Sequence, residues 1–261
     1  MKNNKYKNII NIILIIGIIL ILTGILTSYN VAPKKLYKIE NNLIEDNSFE
    51  TFNESAGDCC NSNPEDSKVF AEKSNESTEG NFCLNLTSEN QCACIHKPVI
   101  NFNKENLYFL TFHHKGDNPR FCSWFEGDEK CLPNKKLETT NEWTQQKEML
   151  FPTENTEGIL IYFYADSDGT KTVTNLYDDL QVRKLIPIEE PYNYNESEEY
   201  IIKTKADNHV NGERISDIEN GEAYFITKGE PKVTIKFPIT ELITILIMLI
   251  IIIRLTKHEK H

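Results

Sequence analysis

Apolar residues fall into two regimes along the chain. At either end they are continuous: residues 9–26 are almost wholly Ile and Leu, and 239–255 repeat the pattern. Each run is about long enough to cross a hydrocarbon core of ~30 Å at ~1.5 Å per helical residue, so transmembrane helices are expected over 9–28 and 238–255. Lys2, Lys5 and Lys7 precede the first run with no acidic residue among them. Arg254, Lys257 and Lys260 lie at the far end of the second, and Glu241 lies at its near end. The positive-inside bias then puts 1–8 and 256–261 in the cytoplasm and the remainder outside the cell membrane. A cleaved signal peptide, the competing assignment for the first run, has a shorter apolar core of ~7–15 residues and a small-x-small cleavage site, which is not found before Ala32-Pro33.

Between the ends, short apolar or alternating runs recur at 36–39, 81–86, 107–113, 120–125, 158–164 and 180–185. Turn-forming clusters separate them, among them Lys115-Gly116-Asp117-Asn118-Pro119, Glu126-Gly127-Asp128 and Asp166-Ser167-Asp168-Gly169. Strands spaced this way, with no helical period between them, predict an all-β antiparallel sandwich over 36–186. A Pro-, Glu- and Asn-rich stretch at 187–199 reads as a linker. Alternating runs at 200–205, 222–227 and 232–237 predict a small membrane-proximal β annex over 200–237.

Composition narrows the function classes. The chain has 28 basic and 39 acidic residues, and removing the two ends leaves 22 against 37, a net charge of −15. Such a domain repels nucleic acid, whose binding requires clustered Lys and Arg, so a nucleic-acid partner is set aside. The oligomeric state is not specified by the sequence. All seven cysteines lie between Cys59 and Cys131, and in an exported domain they are expected to form disulfides. Cys122 and Cys131 flank the Gly-Asp turn and suit a bridge across a hairpin. One further bridge is expected between the Cys59/Cys60 pair and the Cys92/Cys94 pair; Cys83 is counted with the disulfide cysteines, and because seven is odd, at least one thiol is free or pairs with another chain. A zinc reading of Cys92-x-Cys94-x-His96 with His113-His114 lacks the usual ligand spacing. Sequons at Asn53, Asn75, Asn85 and Asn195 suggest a surface glycoprotein.

The stretch 42–184 carries more than β patterning. It opens Asn42-Leu43-Ile44-Glu45-Asp46-Asn47-Ser48-Phe49-Glu50, has a central Glu142-Trp143-Thr144, and closes Asn175-Leu176-Tyr177-Asp178-Asp179-Leu180-Gln181-Val182. It resembles carbohydrate-binding modules of the family 4/9 type, and the resemblance implies a galactose-binding-like jelly roll. First and last strands of a sandwich lie near each other, so Glu50 is expected to approach Asp178 or Asp179, and clustered carboxylates attract a hard cation. The resemblance likewise implies a structural Ca²⁺ at Glu50 and Asp179.

Sugar recognition needs aromatic faces against pyranose C–H groups, with amides and carboxylates on the hydroxyls. Tyr108, Phe112, Trp124, Tyr162 and Tyr164 lie in predicted strands, where alternation sends each to a groove or to the core. Both faces of 107–114 are apolar, which leaves core packing open for Tyr108 and Phe112. Trp143 matches a family position that is usually structural, so Trp124 is the better ligand candidate.

Asp166-x-Asp168-Gly169 lacks the later oxygen ligands of an EF-hand and reads as a turn. Asp178-Asp179 lacks the evidence of a facing carboxylate that a glycosidase needs, and no activated nucleophile or acid/base pair is identifiable. The expected function is therefore a non-enzymatic, membrane-anchored carbohydrate-binding protein recognising an envelope or partner glycan or glycoprotein. Alternatives are a cell-surface assembly protein using the jelly roll for protein contacts, or a substrate of archaeosortase-type processing, since Phe237-Pro238-Ile239-Thr240-Glu241, the apolar run and the basic tail resemble a tripartite sorting signal. The segments 210–212, 221–226 and 233–238 also look like the stretch before the last helix of some cell-envelope glycosyltransferase-like membrane proteins, whose many spans and acidic loop motif are absent here.

Overall fold

The computed structural model describes residues 28–31, 35–59, 68–89, 91–188, 198–204, 209–218, 221–226, 231–236 and 250. Apart from Ser28 and Ile250, the two apolar runs expected as transmembrane helices lie outside the described residues, as do both charged ends. Among the described residues no helix is long and apolar enough to cross a membrane.

The described chain is all-β. In order, its strands are β1 (Ser28–Val31), β2 (Leu36–Asn42), β3 (Gly57–Asp58), β4 (Val69–Ser74), β5 (Cys83–Ser88), β6 (Cys92–Pro98), β7 (Leu107–Gly116), β8 (Arg120–Glu126) and β9 (Lys130–Lys136). There follow β10 (Thr140–Leu150), β11 (Gly158–Asp166), β12 (Val173–Ile188), β13 (Tyr200–Thr204), β14 (His209–Val210), β15 (Glu213–Ile218), β16 (Gly221–Ile226) and β17 (Val233–Lys236).

Two antiparallel sheets face each other. One runs β10-β7-β12-β2-β13-β16-β15 with the β4–β5 hairpin attached to β12, and the other runs β3-β6-β11-β8-β9. Their inner faces follow the period of two that strands impose. From β7 come Tyr108, Leu110 and Phe112; from β11 come Ile159, Ile161, Phe163 and Ala165; from β8 come Phe121 and Phe125. Phe163 lies at the centre, its ring 4.4 Å from Tyr177 and 5.0 Å from Phe112.

Tyr108 and Phe112 are therefore core residues, both fully buried, and the expectation that they contact a ligand is corrected. The opposite face of β7 is also covered, which is why both of its faces are apolar. Phe109 of β7 and Met149 of β10 point away from the sandwich core and pack with Leu185, Ile201, Ala223 and Phe225.

That second core comes from the strands of the expected annex. They continue the large sheet directly, because β2 pairs with β12 on one side and β13 on the other. The sheet then curls so that β15 returns against β10, where Lys147 pairs with Glu213. On its other face β13 contributes Tyr200 and Ile202 to a third cluster with Leu36, Val210, Ile226 and Val233. A small sheet, β1-β17-β14, carries two of these residues, and in it Ser28 lies opposite Lys236. Of the expected linker, 187 and 188 belong to β12, and 189–197 lie outside the described residues.

Candidate functional site

The outer face of the five-stranded sheet carries a continuous aromatic and polar surface. With Phe121 and Phe125 turned inward on β8, alternation turns Arg120, Cys122 and Trp124 outward. On β11 it turns out Leu160, Tyr162, Tyr164 and Asp166, and on β6 Cys92, Cys94 and His96. Register aligns them across the strands. Tyr162 lies between His96 and Cys122, Tyr164 between Cys94 and Arg120, and Leu160 beside Trp124.

The side chains form a layered row. The His96 and Tyr162 rings are 5.0 Å apart, and Tyr162 stacks on Tyr164 at 6.1 Å. The Arg120 guanidinium lies 3.6 Å from the centre of the Tyr164 ring and is fixed there by Asp166, whose carboxylate accepts from Nε at 2.6 Å and from a terminal nitrogen at 3.0 Å. Burial pushes the Tyr162 and Tyr164 phenols up in pKa, so both remain neutral. Trp124 and Tyr162 are half-buried and His96 is exposed, an arrangement that presents ring surface to a ligand while one side packs. Tyr164 is nearly closed off beneath Arg120 and serves as its support.

The core pins this surface from beneath. The Tyr177 hydroxyl donates to the Tyr164 carbonyl at 2.7 Å and accepts from the Arg120 backbone N–H at 3.1 Å; Asn175 Nδ2 donates to the same Tyr164 carbonyl at 3.0 Å. One residue of β12 thus ties together the two strands that carry the row. Disulfides fix its edges: Cys59–Cys94 joins the segment after β3 to β6, and Cys122–Cys131 joins β8 to β9. Both agree with the bridges expected from spacing. Cys92 is also disulfide-bonded, Cys83 is free and buried in β5, and Cys60 lies outside the described residues.

Arg120 is the surface residue that sequence reasoning did not single out, while His96 and Asp166 enter it only as a zinc ligand and as part of a turn. The Arg120 signal was present in the alternation: once the flanking Phe residues of β8 are assigned to the core, Arg120 and Trp124 must share the opposite face.

The expected calcium carboxylates are placed elsewhere and engaged differently. Asp178 is fully buried; its Oδ2 accepts from Thr78 N, Thr78 Oγ1 and Glu79 N at 2.6, 2.8 and 3.0 Å, and its Oδ1 accepts from Asp179 N at 2.8 Å. Glu50 Oε1 accepts from Asn81 N at 2.6 Å and Phe82 N at 3.0 Å, and these bonds, the Phe82 one foremost, lower its pKa. The two carboxylates clamp one loop by its N–H groups. Gly80 sits in that loop at φ +71°, where an added Cβ would lie 2.2 Å from Glu50 Oε1.

Asp179 sits at a bulge of β12 with φ 47°. It accepts from Gln181 Nε2 at 2.5 Å and lies 3.4 Å from His113 Nδ1. Although burial alone would raise it, bonds from His113, Gln181 and Glu79 hold Asp179 below the usual carboxylate range, and the bond to Asp179 raises Glu79. Among the described residues no three His, Cys, Asp or Glu side chains are grouped to hold a metal ion. Oxygens filled by N–H donors do not fit the shell of a calcium ion, which needs six to eight free oxygen ligands, roughly. Asp178 therefore acts as a loop clamp and Asp179 forms the bulge.

The remaining expected sites fall at the surface or outside the described residues. Asn53 and Asn75 are exposed, Asn85 is half-buried within β5, and Asn195 is not described. Asp168 Oδ1 accepts from Thr170 N at 2.9 Å and Gly169 has φ 81°, a turn as expected.

No family model matches the sequence, and no similar curated protein was found. The chain is similar in fold to several solved structures. One is a family 61 carbohydrate-binding module in complex with β-1,4-galactotriose, with 13% identity, 55% of this chain and 98% of that chain covered, and a TM-score of 0.40. Another is the CBM22-1 xylan-binding domain of Xyn10C from Paenibacillus barcinonensis, with 15% identity, 45% and 83% covered, and a TM-score of 0.33. A third is the enzymatically active domain of tailspike protein 4 from bacteriophage CBA120, with 12% identity, 56% of this chain covered and a TM-score of 0.43. The match spans only 21% of the length of that tailspike chain. Carbohydrate-binding modules recur among these solved structures.

Proposed function

We propose that the protein is a non-catalytic carbohydrate-binding protein, anchored at the cell membrane with its β-domain outside, and that it holds a glycan on the outer face of the five-stranded sheet. The observation that carries this reading is the row Trp124, Tyr162 and His96, backed by the Arg120–Tyr164–Asp166 unit. It offers ring faces for sugar C–H groups and fixed polar atoms for hydroxyls on a pre-ordered sheet. Anchoring is supported by the two apolar runs and by the pairing of β1 with β17. Ser28 opposite Lys236 brings the start of one apolar run beside the end of the other, so both leave the β-domain at one strand pair. The bridged cysteines and the exposed sequons at Asn53 and Asn75 agree with an oxidising exterior.

The test is a glycan array probed with the full chain in nanodiscs, in parallel with Trp124→Ala and Tyr162→Ala. Retention of one glycan class by the parent and its loss in both variants supports the reading. No retained glycan, or retention unchanged in both variants, removes it.

A further inference from the structure

The curled sheet creates a groove that neither half of the chain would form alone. It lies where β8, β9 and β10 meet β15, has a volume of 780 Å³, and falls within the range of about 300–1,000 Å³ typical of small-molecule sites. Its apolar wall includes Phe125, Leu132, Met149 and Phe151. Leu132 and Phe151 are 55% and 36% exposed, and they are two of only four large hydrophobic residues so exposed among the described residues.

The polar groups in this groove are paired in charge. Glu148 has a side chain only 4% exposed, and its Oε1 accepts from Lys135 Nζ and Gln146 Nε2. Lys135 is neutralised by Glu148, and Arg214, the other cation on the wall, bonds to Glu222 at 2.9 Å. A site whose charges are already matched attracts neither an anion nor a cation strongly. A carboxylate held beside one ammonium group and set against apolar and aromatic faces is complementary to adjacent hydroxyl groups, one donating to Glu148 and one accepting from Lys135.

We propose that this groove is a second ligand site, for a neutral pyranoside, with vicinal hydroxyls on Glu148 and Lys135 and the C–H face against Phe151. It goes beyond the outer-face site and does not depend on it, because the two surfaces share no residue. Two sites on one anchored domain would raise retention of a polymeric glycan through effective concentration.

Met149 gives a local report, since the other two methionines, Met1 and Met248, lie in the terminal segments. The full chain, labelled with ¹³C-methyl methionine in nanodiscs, is titrated with methyl β-glucoside, β-galactoside, β-mannoside and β-xyloside. Trp124 fluorescence is followed in a Trp143→Phe background as the independent report on the outer face. The expected result is a saturable Met149 shift with at least one pyranoside that persists in Trp124→Ala. Glu148→Gln, nearly isosteric, weakens it by roughly tenfold or more, and Leu132→Ala, at an exposed position, weakens it without disturbing the fold. A Met149 signal unmoved by all four sugars overturns this inference, whatever Trp124 reports. So does a shift that Glu148→Gln and Leu132→Ala leave unchanged, or one that Trp124→Ala abolishes.

Discussion

His114 should make the domain acid-sensitive in a window that its carboxylates do not explain. It lies in β7 on the inward side with Phe112, is 2% exposed, and its Nδ1 has no hydrogen-bond partner among the described residues. Burial, reinforced by neighbouring His113, pushes its pKa down to about 4 from 6.5. A depressed histidine pKa means that the unfolded chain takes up a proton at a pH where the folded protein does not. Stability from this group is therefore complete above pH 6.5, falls as pH drops from 6.5 to about 4, and levels off below. At ~1.4 kcal/mol per pH unit the window is worth roughly 3 kcal/mol. His114→Leu keeps an apolar side chain of similar volume and removes the proton acceptor. Urea unfolding of the full chain, followed by tryptophan emission at a series of pH values across this window, should give a sloping stability for the parent and a much flatter one for His114→Leu. The lowered carboxylates Glu50, Asp128 and Asp168 titrate at the acid end in both proteins and cancel in the comparison. Equal slopes in the two proteins would refute the argument.

Three further outcomes are expected. Tyr177→Phe removes a buried hydroxyl that serves the Tyr164 carbonyl and the Arg120 N–H, which should cost about 1–3 kcal/mol and loosen the outer-face row; unchanged hydrogen exchange at Arg120 would contradict the pin. Reducing the bridges should lower stability by about 3–4 kcal/mol for Cys59–Cys94 and ~2.5–3 kcal/mol for Cys122–Cys131 in the chain-entropy description, measured by pairwise Cys→Ala variants. A calcium chelator should leave the melting temperature unchanged, while Asp178→Ala, which strips the loop at Thr78 and Glu79 of its acceptor, should lower stability by roughly 2 kcal/mol or more and speed exchange at those two amides.

What the sequence determined by itself was the local chemistry. Alternation at 107–113, 120–125 and 158–164 marked strands because side chains on a pleated backbone must divide between two faces, and the Gly-Asp turn between Cys122 and Cys131 made their bridge legible from spacing alone. Alternation could not say which face was the core. Tyr108 and Trp124 look equivalent in a list of strand aromatics; only the partner sheet decides that one is enclosed and the other half open. Strands β9 and β10 left little trace because edge positions carry Lys, Glu and Gln, whose polarity hides the period. Nearness of the sandwich's first and last strands suggested the approach of Glu50 to Asp178 or Asp179, but that both Glu50 and Asp178 take up N–H groups of the 78–82 loop depends on what that loop presents to them. The annex likewise displayed its strands in sequence, while its role as a second cover for β7 and as one wall of the Glu148 groove came from long-range pairing of β2 with β13. Sequence separation conceals such pairing, because the free energy that selects it is burial shared between distant segments.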